Sequence, residues 1–118
     1  MGGPAAQFKA FADASSDRWD SQVWSGKLAA GFTVGANANG DQLATLHYFT
    51  ILASQHGMLW VGLDITGGID SEGRNPLGAQ LGLAAHCLNP TLSAIDTATA
   101  EYFGERVAKT LHRLDAPL

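Results

Sequence analysis

Between Lys27 and Gly62 two apolar runs flank the loop Gly35-Ala36-Asn37-Ala38-Asn39-Gly40-Asp41, which leads into a helical pattern. Glycine and asparagine accept turn conformations that most residues avoid, so such a loop can leave a buried strand sharply and present backbone N–H groups to a ligand. Beside a helix start those groups carry partial positive charge and suit an anion or a polar ring edge. The loop is a candidate ligand cradle, although the same composition also serves an ordinary strand-to-helix turn.

The other chemistry-bearing residues say less. His56 precedes Gly57 at a helix end, where it is either a group for proton transfer or a favourable cation at the negative end of the dipole. His86 and Cys87 are adjacent rather than spaced as a metal pair, and His47 and His112 have no ligand at metal-binding spacing, so no metal site is expected. Asp70, Glu72 and Arg74 read as a solvated loop in which Arg74 is a minor candidate for a dinucleotide phosphate. Trp19 and Trp24 read as packing or interface residues and Trp60 as core.

These residues need elements to hold them. Gly3 to Ala14 predicts a helix, with Pro4 in its first turn and Ala5, Phe8, Phe11 and Ala12 on one face; Ser15 to Gly26 is a loop with aromatic anchors. Lys27 to Val34 is uniformly apolar, as in a strand buried on both faces of a parallel sheet. Asn39 or Asp41 caps a helix that runs to about His56 with Leu43, Leu46, Thr50 and Ala53 aligned, and Gly57 stops it. Met58 to Leu63 is a second buried strand, and two parallel strands joined by a helix form a right-handed βαβ unit.

Asp64 to Ile95, rich in Gly, Asn and Pro, reads as a long connection without regular structure, of the kind that covers a site. Asp96 to Leu114 closes the chain as a helix with Ala100, Phe103, Val107, Leu111 and Leu114 in one stripe. The fold class is α/β, in one domain spanning 1–118. Two strands and about three helices leave sheet edges open, which predicts self-association or a partner.

Composition narrows the partners. A net charge of −4 with seven Lys and Arg argues against a nucleic-acid binder. One cysteine precludes an internal disulfide, and no long apolar run predicts a membrane span or leader, so a cytoplasmic protein is expected.

The segments Met1 to Phe11, Lys27-Leu28-Ala29-Ala30-Gly31-Phe32, His56-Gly57-Met58, Asn75-Pro76-Leu77-Gly78 and Phe103-Gly104-Glu105-Arg106-Val107-Ala108 follow one another in the order of a known family. In this they resemble the flavodoxin-like NAD(P)H:quinone oxidoreductases of the tryptophan-repressor-binding-protein type. The resemblance runs from residue 1 to about residue 114 and implies a doubly wound parallel sheet of strand order 2-1-3-4-5, with FMN across the carboxyl ends of its strands. It places Met1 in the loop after the third strand, so that the chain corresponds to the C-terminal portion, without the turn that holds the FMN phosphate.

By the same resemblance, Met1, Gly2 and Gly3 stand beside the flavin, Met1 in place of a family aromatic. Thr33, Val34, Gly35, Ala36, Asn37, Asn39, Gly40 and Asp41 form the turn that hydrogen-bonds its polar edge, where reduced flavin carries negative charge. His56 matches a family histidine at the pocket's border and is the candidate catalytic residue, and Trp19 matches an aromatic that walls the pocket, from a neighbouring subunit where the family oligomerises. Implied partners are NAD(P)H and a quinone in a homo-oligomer. Hydride transfer needs stacked rings more than a protein nucleophile, so the lack of a triad does not exclude it. The alternatives are a flavodoxin-like electron carrier and a non-catalytic half-domain that self-associates without flavin.

Overall fold

The computed structural model describes residues 1–88 and 90–115. Helix α1 (Ala6–Ala14) runs into a single 3-10 turn over Ser15–Arg18. Strands β1 (Leu28–Ala29) and β2 (Phe32–Gly35) follow, then α2 (Gln42–Gln55), β3 (Leu59–Trp60), β4 (Leu83–His86) and α3 (Ala94–Asp115). Helix α1 starts three residues later than predicted, leaving Pro4 outside it.

The sheet is parallel, as the βαβ reading requires. β1 and β2 are two pieces of one extended stretch, and each has its own partner: Leu28 pairs with Leu59 in β3, and Phe32 to Gly35 pair with Leu83 to His86 in β4. The break at Ala30–Gly31 is where the chain of β4 arrives. A Cβ on Gly82 would lie 2.3 Å from the Gly31 carbonyl oxygen, so only glycine permits that approach.

Three expectations change here. The stretch Asp64 to Ile95 is not free of regular structure: Leu83-Ala84-Ala85-His86 is a short, continuously apolar strand start that the surrounding Gly, Asn and Pro obscured. The run Lys27 to Val34 is not buried on both faces, since Phe32 is 68% and Val34 48% exposed. The second predicted strand, Met58 to Leu63, pairs regularly only at Leu59–Trp60, although Val61 N–H still donates to Ala29 and Leu63 N–H to Gln80.

Packing falls on two faces. Val61, Leu63, Ile65, Leu83, Ala85 and Phe103 form a core under α3, joined by Leu28, Tyr102 and Val107; on the other face Leu46 and Ala53 of α2 are buried. Leu43 of the predicted α2 stripe is exposed, as are Leu111 and Leu114 at the end of α3, and Trp60 is only half-buried, its Nε1–H donating to the Leu81 carbonyl at 2.8 Å. The body is a slab of 41 × 39 × 19 Å with a radius of gyration of 15.2 Å. A compact domain of this length would have about 13.5 Å. The excess reflects a narrow sheet whose faces are incompletely clothed.

Candidate functional site

The loop read as a candidate cradle leaves the carboxyl end of β2. Gly35 is the last paired residue, opposite His86, and Ala36 to Asp41 stand in solvent. Gly40 (φ +54°) and Asp41 (φ +51°) turn the chain in the left-handed region, where only Gly and short polar residues sit easily. Asn39 Oδ1 accepts the Asp41 N–H at 3.1 Å, whereas neither predicted cap uses its side chain on α2 itself. Among the described residues the N–H groups of Asn37, Ala38 and Gly40 find no acceptor, so they are available to a ligand at a helix amino end.

Gln42 shapes this loop, and nothing in the sequence pattern marked it. Its side chain is 5% exposed and lies against Gly35, where a Cβ would come within 3.3 Å of its amide. Nε2 donates to the carbonyls of Asn37 (3.3 Å) and Ala38 (3.4 Å), pulling both inward. That assignment leaves Oε1 buried without a partner, and the Nδ1 of His86, beside Gly35 in the ladder, is likewise unpartnered. A cavity of about 550 Å³ separates Ala38, Asn39 and Gln42 from Pro76 to Gln80.

Phe8 packs on Phe49 with ring centroids 4.5 Å apart, and Ser15 Oγ is 2.8 Å from His56 Nε2. Residues 41 apart are matched at both points, so α1 and α2 run side by side in the same direction. Their amino ends, preceded by Met1 to Gly3 and by the loop, both face the carboxyl ends of the strands. Thr33 and Val34 are held in β2 opposite Ala84 and Ala85.

His56 is elsewhere. It caps the carboxyl end of α2, a 14-residue helix, and so lies about 21 Å of helix from the cradle of its own chain. It is 2% exposed, bonded to Ser15 and covered by Trp24 at a ring distance of 4.4 Å. Trp19 is exposed near the same end, on a shallow cavity shared with Ser15, Gln55 and His56. One chain therefore has the segments leading into α1 and α2 at one end and His56 and Trp19 at the other.

The acidic loop is not simply solvated. Arg74 grips Asp70 through Nε (3.1 Å) and Nη2 (3.0 Å), reaches Glu72 at 2.9 Å, and stacks over Tyr102 at 4.5 Å. Its hydrogen bonds hold the Asp70 carboxyl down at about 2. So engaged, Arg74 is not a ready phosphate clamp. Tyr102 in turn donates to Asp64, which raises the pKa of the phenol. Asn75 (φ +52°), read from sequence only as part of the Asn75-Pro76-Leu77-Gly78 segment, ties the long connection together: its amide joins the Ile65 carbonyl, Gln80 Oε1 and Ala79 N–H, and its backbone N–H meets Thr99 Oγ1. The signal was present as Asn before Pro-Leu-Gly, a turn sequence.

Among the described residues no group of three His, Cys, Asp or Glu side chains converges, and no helix is long and apolar enough to cross a membrane. No family model matches the sequence. Flavodoxin FldP of Pseudomonas aeruginosa (strain UCBPP-PA14) is 37% identical over 124 residues, an alignment covering 98% of this chain and 67% of FldP. An NAD(P)H dehydrogenase (quinone) of Azorhizobium caulinodans is 35% identical over 121 residues, covering 93% of this chain and 57% of that protein. The crystal structure of a WrbA-like flavodoxin from Agrobacterium tumefaciens superposes with a TM-score of 0.74 at 40% identity, covering 96% of this chain and 60% of that one. The chain thus spans between 57% and 67% of these relatives' lengths. Fold, strand-end loop and sequence agree, and the chain belongs to the flavodoxin-like family, in its WrbA-like branch.

Proposed function

We propose that this chain is the flavin-contacting part of an FMN-dependent NAD(P)H:quinone oxidoreductase acting by two-electron hydride transfer in the cytoplasm. The observation that carries this reading is the loop of free amides at the common amino end of α1 and α2, in a chain of this family. When bound, FMN supplies the centre that takes a hydride from NAD(P)H and passes it to a quinone.

The chain's own residues hold and orient it. The amides of Asn37, Ala38 and Gly40 face the ring's polar edge, with Thr33, Val34, Gly35, Ala36, Asn39 and Asp41 setting the loop, and Met1, Gly2 and Gly3 lie against the ring's flank. Trp19, exposed at the far end of α2, serves the cradle of a neighbouring copy in a homo-oligomer. His56, buried between Ser15 and Trp24, supports that wall from beneath as a positioning residue and does not itself reach the acceptor.

Fluorescence-quenching titration with FMN tests the cradle, with the oligomeric state measured on the same sample. Saturation at about one FMN per chain supports the reading, and its absence up to about millimolar FMN refutes it. The similarity to FldP favours a second reading, an electron carrier of the flavodoxin type. Steady NAD(P)H oxidation with a quinone present distinguishes the enzyme from the carrier.

A further inference from the structure

Asn39 and Gly40 are neighbours in the exposed part of the loop between β2 and α2. The Gly40 N–H has no acceptor among the described residues, Asn39 Oδ1 accepts the Asp41 N–H at 3.1 Å, and the Asn39 backbone carbonyl accepts the Gln42 N–H at 3.1 Å. Gly40, at φ +54°, has no Cβ to screen its nitrogen. The side-chain amide is thus held by its oxygen, next along the chain to a nitrogen that nothing else engages.

These are the requirements for an asparagine to react with its own backbone. A nitrogen that attacks Cγ turns Oδ1 into an oxyanion, and an N–H already bonded to that oxygen, at the amino end of a helix, stabilises the charge as it develops. The other asparagines each lack a requirement. Asn37 is followed by Ala38, whose Cβ crowds the nitrogen, and Asn75 and Asn89 by prolines, whose nitrogen has no hydrogen to lose. Asn75 is also buried, with both polar atoms of its side-chain amide hydrogen-bonded.

We propose that Asn39 is a self-modification site, converted through a cyclic imide into aspartate and isoaspartate. The Gly40 nitrogen gives its proton to solvent and bonds to Asn39 Cγ; the Cγ–Nδ2 bond breaks, and Nδ2 leaves as ammonia after taking a proton from water. Water then opens the imide. Its addition at Cγ gives aspartate, and its addition at the backbone carbonyl carbon gives isoaspartate, whose main chain runs through Cβ. Net, one water is consumed and one ammonia released, with no change of oxidation state. Either product puts a carboxylate where the loop had a neutral amide, one charge beyond the chain's −4. Aspartate keeps the path of the loop and places its charge at the favourable end of α2, whereas isoaspartate lengthens the backbone between β2 and α2. On the flavin reading the new charge opposes the negative edge of a reduced ring; the modification itself does not depend on that reading.

Incubating the intact protein at neutral pH in ¹⁸O-labelled water tests it, with peptide mass spectrometry locating the label and electron-transfer fragmentation separating isoaspartate from aspartate. The expected result is entry of heavy oxygen at position 39 and growth of a more acidic form on ion exchange, while Asn37 and Asn75 keep their amides. Asn39→Gln, whose imide ring needs a further methylene, slows labelling at this position about tenfold or more. A native chain that keeps Asn39 intact while the same chain in urea is labelled would overturn the proposal, because the fold would then protect the pair. So would labelling of Asn37 as fast as that of Asn39. Saturating FMN is expected to slow the reaction by engaging the Gly40 N–H; labelling that bound FMN leaves unslowed would refute the flavin contact at Gly40 and not the modification.

Discussion

Ser15 Oγ stands 2.8 Å from His56 Nε2 and 2.7 Å from the carbonyl oxygen of Ala12. A carbonyl only accepts, so the serine hydrogen goes to Ala12 and its oxygen accepts from Nε2–H. This assigns the Nε2–H tautomer to neutral His56 and leaves Nδ1, buried and unpartnered, as an acceptor. The histidine at the candidate border position is thus oriented by a residue 41 positions earlier in the chain.

Replacing Ser15 by alanine strands a buried donor. The cost of an unsatisfied group of this kind is about 1–3 kcal/mol, which urea unfolding will register as a lower midpoint with an unchanged slope. In ¹⁵N spectra the His56 tautomer preference weakens as well. An unaltered midpoint and unaltered spectra would remove Ser15 from the account.

The Asp70–Arg74 pair makes acid stability predictable in sign. Asp70 titrates at about 2 instead of 3.8 because Arg74 donates to it, so between these values the unfolded chain binds the proton and the folded chain resists it. The pair's contribution is complete above about pH 4 and is lost as pH falls toward 2. Thermal melts across that window will fall less steeply for Asp70→Asn than for the parent protein. Parallel curves would show that the pair contributes nothing.

Two glycine-to-alanine changes have opposite expected signs. At Gly82 the new methyl meets the Gly31 carbonyl oxygen at 2.3 Å, and the backbone must move, at a cost of about 1–3 kcal/mol or more. At Gly104, inside α3 with nothing within 4 Å, alanine gains about 0.5–1 kcal/mol of helix propensity. Calorimetric Tm values for the two variants should move apart.

Gln42→Leu keeps the side chain's bulk and removes the clamp on Asn37 and Ala38. With the loop carbonyls released, its amides lose their common direction, and FMN affinity is expected to fall about tenfold, roughly 1.4 kcal/mol. The circular dichroism spectrum should not change. Equal affinities for parent and variant would mean that the loop holds its shape without Gln42.

Much of this was legible in order of sequence. Apolar runs separated by a helical pattern dictated the parallel βαβ unit, and Gly57, at φ +67°, ends α2 where the pattern stops it. The Gly- and Asn-rich turn between β2 and α2 was legible because turn chemistry is local. Tertiary structure decided what no local pattern encodes. The strand Leu83–His86 exists because Gly82 allows its backbone against Gly31, 51 residues away, and Gln42 became a clamp only because β2 carried a glycine beneath it. Burial was likewise undecidable from hydropathy. Phe32 and Val34 are as apolar as any core residue, yet they lie on a strand that none of the described residues covers at its outer edge, whereas polar Asn75 and Asp96 are enclosed. Apolar character sets what a residue gains by burial; the arrangement of neighbours across the sheet determines whether it is buried.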